Sequence, residues 1–161
     1  MAADMFLKLD GIDGESTDDS HVKWIEVESF SWGVTQSGTL AFGGGGGAGK
    51  AQFQDFHFVT NTSKASPLLF KSCATGEHIK EATLTVRKSG GDRPQDYLHI
   101  KMNDVLISSY QTGGSQGGGT PTDQASLNFA KIEFSYQPQK PDGSLDSAVL
   151  AKWDLKLNKA L

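Results

Sequence analysis

The sequence predicts a mainly β fold, a small antiparallel β-barrel or sandwich with one short α-helix. Three observations carry this. Apolar residues recur at every second position in about seven or eight separated segments, the period of a half-buried strand. In three of these segments the apolar parity switches midway, as it does when a bulge bends a strand. A single stretch, around Ser66 to Gly76, combines helix start and stop signals. At 161 residues the chain is one domain by length, able to bury roughly 68–70% of its unfolded surface without covalent staples.

Taken in order, Met5, Leu7 and Leu9 alternate with Phe6 and Lys8 and predict the first strand. The polar segment from Asp10 to Lys23 is a loop. A second strand runs from about Val22 to Val34, with Ile25 and Val27 on one parity and Phe30, Trp32 and Val34 on the other, which places a bulge near Ser29. Phe53 to Thr60 forms a third strand, with Phe56 and Phe58 inward against Asp55 and His57. In the helix, Ser66 reads as N-cap, Pro67 as first helical residue and Gly76 as the stop, with Leu69, Phe70, Cys73 and Ala74 on one side.

Ile79 to Arg87 then turns Ala82, Leu84 and Val86 inward against Thr83, Thr85 and Arg87. Tyr97 to Tyr110 returns with a parity change that implies a second bulge near Asn103 and Asp104. After a glycine-rich loop, Gln111 to Thr122, the strand from Ala125 to Gln137 switches from Leu127 and Phe129 to Ile132, Phe134 and Tyr136. The final strand sets Trp153, Leu155 and Leu157 against Asp154, Lys156 and Asn158.

Between the second and third strands, Gly38 to Gln54 is far longer than a hairpin needs. It contains Gly43, Gly44, Gly45, Gly46 and Gly47, then Gly49 and Lys50. The run satisfies GxxxxGK and GxGxxG on paper. Ala51 stands where a phosphate loop needs Ser or Thr for magnesium, and the following AQFQDFHF alternates as a strand, where both motifs require a helix. Gly113 to Gly117 spells GxSxG, again with no helix after it. His21, His57, His78 and His99 lack metal-ligand spacing and read as solvated. The acidic run Asp10 to Asp19 lacks the closing glutamate of a calcium loop. Cys73 reads as a small core residue. No catalytic constellation, cofactor site or metal site is assembled by these residues.

The formal net charge of −4 and the scattered basic residues argue against nucleic acid. The start, MAADMFLKLDGIDGES, is neither a signal peptide nor a spanning segment, so no membrane insertion is expected. With one cysteine there is no internal disulfide. What remains is an interaction module.

Several segments in the right order resemble one family: DMFLKLDGIDGES, ESFSWGVTQSG, GGGGGAGKAQFQDFHF, SPLLFKSCATG, LTVRKSGG, LNFAKIEFSYQPQK and WDLKLNK. The chain is similar along its whole length to the haemolysin co-regulated proteins (Hcp), the inner-tube subunits of type VI secretion systems. The resemblance implies a homo-hexameric ring, stacking of rings into a hollow tube that carries effector proteins, a spike protein of the VgrG type at the tip and a contractile sheath outside. It implies no enzyme activity. It implies a protein cytoplasmic before assembly, then secreted without a cleavable signal peptide. On this reading residues 1–161 are a single tube domain with no C-terminal effector extension. Leu40, Phe42, Gly43 to Gly47 and Lys50 become the ring-stacking loop, and Ser29 and Ser31 become lumen residues that contact effectors. The alternative is a small β-barrel that binds carbohydrate or another ligand in a pocket lined by Trp24, Trp32 and Trp153.

Overall fold

The computed structural model describes residues 3–37, 49–88 and 94–161. Ten strands and one helix follow in the order β1 (Ala3–Leu9), β2 (Ile25–Ser31), β3 (Val34–Thr35), β4 (Gln52–Phe53), β5 (Phe56–Asn61), α1 (Ser66–Thr75), β6 (His78–Lys88), β7 (Gln95–Gly113), β8 (Thr122–Tyr136), β9 (Val149–Asp154) and β10 (Lys159–Ala160). The cycle β8-β5-β2-β1-β6-β7 returns to β8, closing a six-stranded antiparallel barrel, while β9 and β10 extend outward from β8. β3 and β4 form a separate ribbon at the root of the glycine loop.

Alternation selects the barrel interior. Leu7, Leu9, Ile25, Phe56, Phe58, Leu84, Ile100, Met102, Val105 and Leu127 are all buried, and each side chain of this size contributes about 1.5–3 kcal/mol on leaving water. The β2 bulge lies between Val27 and Ser29, at the neighbouring residue Glu28. The expected bulge near Asn103 and Asp104 is not one. Ile79, Val105 and Phe129 stand in one row and Ala82, Met102 and Ile132 in another, with register kept on both sides of the step. All three strands change parity together, so the barrel wall bends along a line and no single strand gains a residue. Asp104 sits on that line with φ of 54°. The register shifts of β7 fall elsewhere, at Val86/Arg87 against β6 and at Ile107/Ser109 against β8. At the same level β8 exchanges neighbours: its residues 122–127 pair with β5 and 131–136 with β9.

The helix differs from expectation in its start and its face. Ala65 occupies the cap position and makes no side-chain cap bond. Ser66 is the first helical residue, and its hydroxyl donates to the buried carboxylate of Asp123, which also accepts from Thr62 Oγ1 at 2.9 Å. Leu69 and Ser72 face inward, whereas Phe70 is 61% exposed and lies 6.5 Å from the Tyr110 ring. Burial, then the charge of Asp123, hold the Tyr110 hydroxyl above its ordinary range. Gly76 ends the helix as expected: at φ of 68° its N–H reaches Cys73 O and the next N–H reaches Ser72 O, a Schellman-like stop.

His21 is not solvated. The loop after β1 folds back over the outer side of β1 and β6, laying the His21 ring parallel to Phe6 at 4.3 Å. Arg87 has the outward parity expected of it, and its guanidinium lies 5.1 Å from the Phe6 ring centroid under the same loop. At the C-terminal end Trp153 and Leu155 pack against the core as expected, whereas Asp154 is buried and Leu157 is 61% exposed. The Asp154 carboxylate accepts the Leu157 N–H at 2.9 Å and so forms the turn into β10.

Candidate functional site: a polar four-strand face with two open edges

On one side of the barrel, β2, β5, the first half of β8 and the last part of β7 lie side by side. Their pairings align residues across all four strands. The row Phe30, Phe58, Ala125, Tyr110 turns inward, and the next row, Ser31, His57, Ser126, Ser109, turns outward. Two residues along is the row Ser29, Val59, Gln124, Gln111. The bulge at Glu28 is what gives Ser29 and Ser31 the outward parity while Val27 stays in the core. Both serines are exposed on this face, where the sequence placed them.

The face is knit by side-chain bonds. Ser108 donates to Asp55 at 2.6 Å and Asn128 Nδ2 donates to its other oxygen at 2.9 Å, so one carboxylate just before β5 ties β7 to β8. His57 Nδ1 lies 3.3 Å from Ser126 Oγ. Sequence reading missed His57, Asp55, Ser109, Gln111 and Gln124 as members of one surface with Ser31, since only strand pairing brings these positions together.

Among the described residues both margins of the face are unpaired. β2 pairs with β1 only through Ile25–Val27, leaving Glu28 to Ser31 with β5 as sole neighbour. β7 pairs with β6 only up to Leu106, leaving Ser108 to Gly113 with β8 alone. Such edges present free N–H and C=O groups to another chain. Where β1 and β2 part, a groove of about 470 Å³ opens between Asp4, Asp18, Glu26, Glu28 and Arg87.

Beneath that groove Arg87 donates to Asp18 at 2.6 Å and to Asp4 at 3.3 Å. His21 bridges Asp18 at 2.7 Å and Asp96 at 3.2 Å. The hydrogen bonds from His21 and Arg87 hold the Asp18 carboxyl below its usual range. For Arg87, burial works against the charge but the bonds to the two aspartates outweigh it and raise its pKa. This cluster cements the folded-back loop and lacks the nucleophile-and-base geometry of a catalytic site.

Leu40, Phe42 and Gly43 to Gly47 lie outside the described residues. Lys50 is described and exposed at the foot of the ribbon. Beside it, a side chain at Gly49 would run into Ser37 and come 3.0 Å from Gln36 Oε1, so that glycine serves the close approach of the two legs of the chain's own ribbon. The three tryptophans do not converge: Trp24 meets His21 edge-on, Trp32 packs by Phe134 and Trp153 by Phe53. Among the described residues no group of His, Cys, Asp and Glu is arranged to hold a metal ion, and no helix is long and apolar enough to cross a membrane.

Residues 6–136 match the family model described as type VI secretion system effector, Hcp. The chain is 45% identical over 159 residues to the protein hcp1 of Pseudomonas aeruginosa, covering 98% of each. It superposes on the crystal structure of Hcp1 from Salmonella typhimurium with a TM-score of 0.82, at 36% identity and over the full length of both chains. A solved type six secretion system protein gives a TM-score of 0.93 at 31% identity, covering 99% of this chain and 100% of that one. A closed antiparallel barrel with one helix, matched along its length by these relatives, places this chain in the Hcp family of type VI secretion proteins.

Proposed function

We propose that the chain is a tube subunit that closes into homo-hexameric rings, with the β2-β5-β8-β7 face as the wall of the lumen. The observation that carries this reading is the pair of open edges on the two margins of one polar face. A heterologous contact, the β2 edge of one copy against the β7 edge of the next, closes into a ring when the rotation matches. The face between the edges then turns to the ring centre, and its small hydroxyl and amide groups hydrogen-bond effector proteins during transport. Rings stack through Lys50 and the glycine loop with Leu40, Phe42 and Gly43 to Gly47 and form the tube beneath a VgrG-type spike and inside a contractile sheath. The subunit acts by assembly and carries no catalytic site, and it is made in the cytoplasm before secretion.

Negative-stain microscopy and size-exclusion chromatography of the purified chain test this. Hollow rings of six subunits are expected, and monomers at all concentrations would overturn it. Ser31→Arg is expected to leave the rings intact while lowering co-purification of a lumen-bound effector; unchanged retention would remove Ser31 from the lumen wall.

A further inference from the structure

The basic residues of this chain are segregated. The fifteen lysines and arginines include none within Ile25–Ser31, Asp55–Asn61, Ile107–Gly113 or Thr122–Asn128, the four segments of the polar face. The remaining barrel strands and β9 carry Lys8, Lys80, Arg87, Lys88, Lys101, Lys131 and Lys152. Every ion pair among the described residues is also off this face, including Lys101 with Glu81 at 3.7 Å and Lys152 with Glu133 at 3.6 Å. The face does hold carboxylates. Asp55 stands at one end of it, beside Asn128 and Ser108, and Glu26 and Glu28 line the groove at its β2 side that Arg87 also borders; none of the three is ion-paired among the described residues.

We infer that this face selects protein cargo with a positively charged surface, through Asp55 assisted by Glu26 and Glu28. Asp55 is suited to that role because Ser108 and Asn128 each donate to one of its oxygens. They fix the orientation of the carboxylate while leaving its charge uncompensated. The inference rests on the reading of the face as a lumen wall. In a closed ring each subunit repeats the same carboxylates around one enclosed channel, and a concave surface of one sign concentrates its field on whatever enters. A wall without a single lysine or arginine correspondingly disfavours acidic proteins and nucleic acid, whose binding requires cations.

The test is a binding titration with a small basic protein, cytochrome c, against the same protein with its lysines acetylated, which keeps size and shape while removing charge. The native probe is expected to bind at least tenfold more tightly at low salt, with the gap closing as ionic strength rises and the Debye length falls below about 10 Å. Asp55→Lys should weaken native probe binding at least tenfold with the sizing profile unchanged, and Asp55→Asn serves if the lysine disturbs folding. Glu81→Lys makes the same charge change on the far side of the barrel and should have little effect. Equal binding of both probe forms, or equal loss from Asp55→Lys and Glu81→Lys, would overturn the inference. If the wild-type chain proves monomeric, the ring reading falls, while the Asp55 against Glu81 comparison still decides the charge preference of the face.

Discussion

His21 is buried on the outer side of the barrel because its loop supplies what a buried imidazole needs. Asp18 and Asp96 take its two nitrogens and Phe6 takes its ring face, so a residue that is polar by type ends 2% exposed. Asp18 is the shared member, since it also receives Arg87. Asp18→Asn is expected to lower stability at pH 7 by about 1.5–3 kcal/mol, the range for hydrogen bonds to charged groups. Because the folded-state pKa of Asp18 lies below its ordinary value of 3.8, its contribution is complete above that pH. It is lost as pH falls further, where the unfolded chain takes up the proton first. Denaturant unfolding of both proteins at pH 7 and in steps below pH 4 should therefore show the difference shrinking with acid. A constant difference would mean that the carboxylate charge is not what stabilises the loop.

Among the elements, β2 and β7 each play two parts. Each joins the barrel along one portion and stands unpaired along another, and the division is set by where β1 and β6 stop. The Glu28 bulge marks that division on β2 and lies outside both pairing registers given for the strand. Proline is tolerated at bulges and removes a donor. Glu28→Pro is thus expected to retain a folded monomer, with a melting temperature within a few degrees of wild type, and to lose the ring on a sizing column. Rings of wild-type stability would exclude the β2 edge as the contact. The helix works in the other direction: through Ser66 and Leu69 it closes one end of the barrel, and the buried Asp123 joins it to β5 and β8.

For the whole molecule, one side of the barrel is polar and free of basic residues, and the other carries mixed charges under a folded-back loop. In the proposed ring, closure through the margins of the first side leaves stacking to the ends. Ordering a glycine-rich loop costs on the order of 1–2 kcal/mol per residue, which makes each stacking contact weak. Several such contacts between coaxial rings act together, since after the first the others are effectively intramolecular. Deleting Gly43 to Gly47 should leave rings intact by sedimentation and abolish their concentration-dependent assembly into tubes. Tubes of normal length from the deleted protein would assign stacking to other residues.

The sequence by itself determined the fold class, the helix stop at Gly76, the bulge beside Ser29 and the inward Phe56 and Phe58, because each is written in local periodicity or in a conformation that only certain residues adopt. It also placed Ser29 and Ser31 outward. Tertiary structure alone decided the rest. Parity in one strand cannot distinguish an inserted residue from a bend shared by its neighbours, so Asp104 looked like a bulge. Charge type cannot say that Arg87 and Asp18 will compensate one another under a loop, so His21 looked solvated. Alternation also has no means of showing which outward residues share a side of a closed barrel. That Ser31, His57, Ser126 and Ser109 form one row, flanked by open edges and free of basic residues, follows from the register of four strands drawn from distant parts of the chain.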